Sequence, residues 1–322
     1  MRLRKPLAAI AGGLGVAAVG NRLLASRADE TLAAPLPGET GTYRWRGIDV
    51  TYTEAGDPED PDVLLLHGIN AAATSYEFDG IAETLAESYH VIAPDLPGYG
   101  RSARPPLVYD ADLYTDFVAD FAADTTEDAV CIASSLTAAY AVGATEPAGF
   151  SRLVSICPTA TGMPGQRTLL RTLYRAPLVG AALHNLIVSR PSLRYFSADH
   201  GYYDPAAITD EKIDYQWEAG HQPGSRFAPA SFLAGDLNTE VDLGAALADL
   251  DVPVTLIWGR EAELTPLSEG RDLADRAGAR LVVVDYADLL PHAEHPEQFL
   301  AGIAADLPDL DLDDDVPASA RL

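Results

Sequence analysis

Residues 131–140 read CIASSLTAAY. Strand formers from Cys131 to Ala133 run into two serines, and small residues that suit a helix follow with no linker. A strand that turns directly into a helix at a serine lifts the hydroxyl clear of the backbone at a sheet edge. Ser135 is therefore a candidate nucleophile. The bland alternative is a serine that caps the helix behind it. Partners elsewhere in the chain decide between the two.

Outward from this stretch, strand and helix signals alternate from about residue 42. TYRWRG and IDVTYTEAG read as a two-stranded antiparallel start. VLLLHG (63–68), HVIAP (90–94), AVCIAS (129–134) and RLVSICP (152–158) are unbroken apolar runs, as expected of strands covered on both faces. Between them, Ile81, Leu85 and Tyr89 share a helical face, and so do Tyr114, Phe117, Val118 and Phe121. The alternation stops at Pro158 and resumes with VTLIWG, a helix over 267–277, the strand RLVVVDY and a last helix over about 294–305. This pattern predicts an α/β fold: a doubly wound, mainly parallel sheet of about eight strands, with a helical cap inserted after the sixth. The expected divisions are a basic, apolar segment and linker at 1–40, a core at 41–158, a cap at 159–236, the rest of the core at 237–305 and an acidic tail at 306–322.

The chain has 322 residues, with 48 Asp and Glu against 22 Lys and Arg, for a formal net charge of −26. Such an excess repels itself in dilute buffer, whereas at molar salt the screening length falls to ~3 Å. The composition reads as adaptation to a high-salt cytosol of the haloarchaeal kind, and it excludes nucleic acid as a partner. Cys131 and Cys157 lie in apolar runs and read as buried thiols. Nothing in the spacing calls for a metal or a cofactor. Arg2, Arg4 and Lys5 precede an uncharged stretch from Pro6 to Asn21, shorter than the ~20 apolar residues of a transmembrane helix. Weak peripheral membrane contact, a signal-like leader and a frayed helix are the readings of this segment, in an otherwise cytoplasmic protein.

Five pieces in order carry a resemblance: His67–Gly68, DLPGYGRS (95–102), the Ser135 turn, WGREAELTP (258–266) and LLPHAEHPEQF (289–299). Together the chain resembles the α/β-hydrolase superfamily in its capped, esterase-like form, over roughly residues 42–305. The resemblance implies Ser135 as nucleophile, in a turn reading Ala133-Ser134-Ser135-Leu136-Thr137 where the family has G-x-S-x-G. Thr137 departs from that pattern by adding bulk. The resemblance also implies an oxyanion hole from the backbone N–H groups of Ile69 and Leu136, with Asn70 nearby and His67 structural. It fails at the acid and the base. Ala262 falls at the family's aspartate, flanked by Glu261 and Glu263, and Leu289 falls at the catalytic histidine. His292, three residues on, would serve as base only with the loop rearranged, and Glu261 or Glu263 would supply the acid. His184, His200 and His221 of the cap, and His295, are the other imidazoles in reach.

Two features of the cap complete the reading. Its aromatics, among them Tyr174, Tyr202, Trp217, Phe227 and Phe232, either line a pocket for a lipophilic small molecule or pack the cap onto the core. No Asp or Glu occurs from Ser151 to Ser197, whereas six arginines do, three of them every fourth residue at Arg167, Arg171 and Arg175. Their anionic partner is either the protein's own acidic core or an anionic lipid surface. Three functions follow: a serine hydrolase of a carboxylic ester or related acyl bond; a catalytically silent relative that binds a ligand or partner; a non-hydrolytic enzyme that uses the oxyanion hole.

Overall fold

The computed structural model describes Gly20 and residues 31–310. The basic start of the chain and most of the acidic tail lie outside the described residues. An eight-stranded sheet runs in the order β1-β2-β4-β3-β5-β6-β7-β8. The strands are β1 (Glu39–Trp45), β2 (Ile48–Ala55), β3 (Asp62–Leu66), β4 (His90–Pro94), β5 (Val130–Ser134), β6 (Arg152–Ile156), β7 (Val254–Gly259) and β8 (Arg280–Val284). β1 and β2 form an antiparallel hairpin, closed by Arg46 and Gly47 at φ 45° and 88°. Both turn residues being left-handed matches the twist of the flanking strands. β2 joins β4 antiparallel, and every pair from β4 to β8 is parallel.

Each central strand is apolar on both sides because both faces are covered. Leu64, Leu66, Cys131 and Ala133 point into one core. Val63, Leu65, Val130 and Ile132 point into the other. The first core holds α2 (Ala111–Thr125), α3 (Ser135–Ala148), α9 (Leu243–Ala248) and α10 (Leu267–Ala277); the second holds the short α1 (Ala82–Leu85) and α12 (Pro296–Ile303). Asp110 caps α2 by accepting from Leu113 N at 2.9 Å. The expected stripe Tyr114, Phe117, Val118 and Phe121 is fully buried. The expected last helix is α12, and a separate short turn, α11 (Pro291–Glu294), precedes it; His295 between them, at φ −135° and ψ 66°, leaves the helical region because it precedes Pro296.

Between β6 and β7 the chain forms α4 (Thr168–Arg175), α5 (Val179–Ile187), α6 (Arg190–His200), α7 (Asp210–His221) and α8 (Phe227–Ala234). Val188, Leu193, Tyr202, Ile208, Ile213 and Trp217 of this insertion pack on Ala71 and Ala72, after β3, and on Leu290 and Ala293. Lys212 adds an ion pair to Asp79 at 2.9 Å. The insertion therefore rests on the loops that carry Ile69 and His292. Among the described residues no helix is long and apolar enough to cross a membrane.

Candidate functional site

Ser135 stands where β5 ends and α3 begins, with φ +56°. A non-glycine residue in that region is strained and persists only where its surroundings fix it. The fixing contacts are visible. Ser135 O accepts from Thr159 N at 3.3 Å, and Thr137 Oγ1 donates to His67 O at 2.7 Å. Thr137, a misfit by pattern, thus ties the end of β3 to the first turn of α3. A Cβ placed on Gly68 would lie 3.2 Å from Ser134 Oγ and 3.5 Å from Ser135 Cβ, so the loop after β3 lies against the serine turn. Ile69 and Leu136 are both buried beside it. The first N–H groups of a helix have no acceptor within the helix, so Leu136 N–H suits a developing negative charge.

The residues around this turn are structural supports of defined geometry. His67 accepts from Leu96 N at its Nε2 (3.0 Å), so its Nδ1 carries the proton and donates to Gly68 O at 2.7 Å. Asp95 is buried, and burial opposes its charge. Arg101, 2.8 Å away, His67 and the N–H groups of Ser75 and Arg101 outweigh that and hold its carboxyl below the ordinary range. Gly100 closes this turn at φ +48°, where a Cβ would lie 2.3 Å from the Asp95 carboxyl carbon.

The acid and base positions are arranged differently from the expectation. Leu289 is half-buried against the larger core. His292 is fully buried, with Phe78 and Phe299 ring centroids 5.2 and 5.7 Å from its own. Its Nε2 lies 3.2 Å from Oε1 of Glu77, off the line of a good hydrogen bond. Glu77 Oε2 accepts Gly68 N–H at 2.9 Å. Burial alone would raise the Glu77 carboxyl, but His292, Ser134 and His67 more than offset this and bring it below its usual value. Among the described residues Ser135 Oγ has no hydrogen-bond partner. Glu261 Oε2 accepts Ala287 N–H at 3.1 Å and its N–H donates to Ala287 O, so this side chain fastens the β7 loop to the end of β8. The structure brings His292 to Glu77, and among the described residues no hydrogen bond joins Ser135 to Glu261 or to His292. Ala262 is buried, and Glu263 is exposed.

The other imidazoles are engaged. His184 contacts Tyr174 Oη at 2.8 Å and Gly220 O at 2.7 Å, and burial pushes it down to about 4. His221 donates to Trp217 O, His200 faces Asp199 and His295 donates to Tyr286 O. Glu77 and Asp288 are the two groups the sequence reading missed. Asp288 directly precedes Leu289. Burial, opposed by Glu263 N–H and aided by the charges of Glu294 and Glu263, pushes its carboxyl up to about 6. Its position after the last strand was the available signal. Glu77 had none, because its partner His292 lies most of the chain away. The insertion's aromatics divide: Tyr174, Tyr202 and Trp217 are buried and Phe232 closes over Gly162 beside Leu136, whereas Tyr195, Phe196 and Tyr203 are exposed. Two surface cavities, of about 520 and 420 Å³, open elsewhere, and Ser135 lines neither.

A family model described as "Alpha/beta hydrolase family" matches residues 63–302. A pimeloyl-[acyl-carrier protein] methyl ester esterase of Aeromonas salmonicida is 28% identical over 253 residues, covering 75% of this chain and 93% of the relative. A solved serine hydrolase involved in carbazole degradation superposes with a TM-score of 0.68 at 19% identity, over 84% of this chain and 98% of its own. The 2-hydroxy-6-oxo-6-phenylhexa-2,4-dienoate hydrolase of Rhodococcus sp. strain RHA1 gives 0.67 at 21% identity, over 84% and 99%. The match over three quarters of the length, together with the strand order and the Ser135 turn, places this chain in the alpha/beta hydrolase family.

Proposed function

We propose that the protein is a serine hydrolase that cleaves a carboxylic ester or related acyl bond of a lipophilic small molecule. Ser135 is the nucleophile, and the N–H groups of Ile69 and Leu136 receive the oxyanion. The observation that carries this reading is the strained φ of +56° at Ser135, at the junction of strand and helix and against the Gly68 loop. A serine that only capped a helix would not need it. The ester esterase among the relatives supports the acyl class.

His292 is the base in this reading, and Glu77 is the acid that balances its charge. Glu261 would join them only if it left Ala287 N–H. A base works within ~3.2 Å of the proton it takes, directly or through one water. Nδ1 of His292 has no hydrogen-bond partner among the described residues, and the imidazole must bring that nitrogen to Oγ when substrate binds while Nε2 stays on Glu77, with the loop from Asp288 to Pro291 moving with it. A second reading has its own observation. Among the described residues Ser135 Oγ has no hydrogen-bond partner, and Leu289 fills the usual base position, which favours a silent relative that binds a ligand.

A fluorophosphonate probe in molar KCl separates the two. Labelling of the wild-type chain that vanishes in Ser135→Ala is the expected result. A well-folded chain that takes up no label overturns the hydrolase reading in favour of the silent one.

A further inference from the structure

Half of the twelve exposed large hydrophobic side chains among the described residues lie on α4, α5 and α6. They are Leu169 and Leu173 on α4, Val179 and Leu186 on α5, and Tyr195 and Phe196 on α6. Leu169 is 83% exposed and Leu186 67%. The spacing puts each pair on the outward side of its helix, opposite the buried Tyr174, His184 and Leu193. α4 packs on α5, and α5 on α6, so the three outward sides adjoin. The chain as a whole carries a net charge of −26. Here 47 consecutive residues, Ser151 to Ser197, carry no carboxylate at all.

The cations around this surface are partly unspent. Arg171 pairs with Asp236 at 2.8 Å, and Arg190 and Arg194 pair with Asp214 and Asp210 on α7. Arg167, Arg175 and Arg226 have no carboxylate partner among the described residues. Arg175 instead donates to the carbonyls of Pro106 and Leu107 and lies over the Phe227 ring with Arg226.

We propose that the outward face of α4, α5 and α6 docks the protein on an anionic phospholipid surface. Apolar side chains enter the headgroup boundary while arginines at the rim meet lipid phosphates. α4 and α5 carry no carboxylate; Asp199 at the end of α6, and Asp210 and Asp214 of α7, which pair with Arg194 and Arg190, lie on the α6–α7 side. In molar salt only contact pairs survive screening, so the apolar residues set the strength of binding and the arginines set the choice of lipid. The surface does not depend on Ser135, so it is tested apart from the hydrolase reading.

The test is flotation in molar KCl with phosphatidylcholine vesicles, with and without phosphatidylglycerol. The full chain should float with the anionic vesicles several-fold better than with the neutral ones. Leu169→Asp/Leu186→Asp should reduce that recovery by about fivefold or more, with its melting temperature unchanged because both sites are exposed. Arg167→Ala/Arg175→Ala should erase the preference for anionic lipid. Equal recovery on both lipids, no recovery on either, or full recovery of the Leu169→Asp/Leu186→Asp chain would each overturn the proposal.

Discussion

In the proposed hydrolase, Leu289 is the side chain that limits the rate. It occupies the position where the family resemblance expects an imidazole, and an unassisted serine hydroxyl is a poor nucleophile at neutral pH. Losing triad members typically lowers turnover by ~10⁴ to 10⁶, with the remainder held by the oxyanion site and binding. If the turn and the Ile69–Leu136 donors are sound, Leu289→His should restore part of that loss. An increase of about 10- to 10³-fold in p-nitrophenyl ester hydrolysis is expected, larger again when Ala262→Asp is added. An unchanged rate in folded variants would mean that the Ser135 turn no longer supports acyl transfer. Ser135, Leu289 and Ala262 were legible in the sequence because each sits at a fixed offset from a strand end. Glu77 was not: it meets Gly68 and His292 across the fold, and no local spacing encodes those contacts.

At the scale of elements, Thr137 shows how a pattern mismatch becomes a fastening. Its hydroxyl is buried in the first turn of α3 and donates to His67 O, so the methyl group's bulk accompanies a link between two elements that must stay in register. Thr137→Val keeps the shape and leaves that carbonyl with one donor fewer. A loss of about 1–2 kcal/mol in unfolding free energy is expected, read from guanidinium titration at fixed salt. An unaltered midpoint would mean that the contact contributes nothing. The strands were readable because a parallel sheet covered on both faces demands unbroken apolar runs. The insertion was readable only as an interruption. Its helices are short, and helices of that length owe their stability to packing on one another and on the 70–72 and 289–293 segments rather than to their own propensity.

The whole molecule carries a charge problem that no single contact solves. Arg46 binds Asp116 and Asp120, and Arg44 binds Asp49, yet 48 carboxylates face 22 cations and most of the excess has no partner to find. Exposed pairs of this kind each contribute little. The repulsion is therefore relieved by dissolved ions, and stability should rise with KCl by on the order of several kcal/mol between ~0.1 M and molar salt, seen as a higher melting temperature. The shape of the rise identifies its cause. The screening length shrinks as the inverse square root of ionic strength, from ~10 Å at 0.1 M to ~3 Å at 1 M. Relief of repulsion must then be concentrated in the first few hundred millimolar and flatten beyond. Sucrose at matched osmolarity, which is excluded from protein surfaces but screens nothing, should give a much smaller effect over the same range. A melting temperature that climbed linearly past molar KCl, or equally in sucrose, would assign any stabilisation by salt to solute exclusion instead of to the carboxylates.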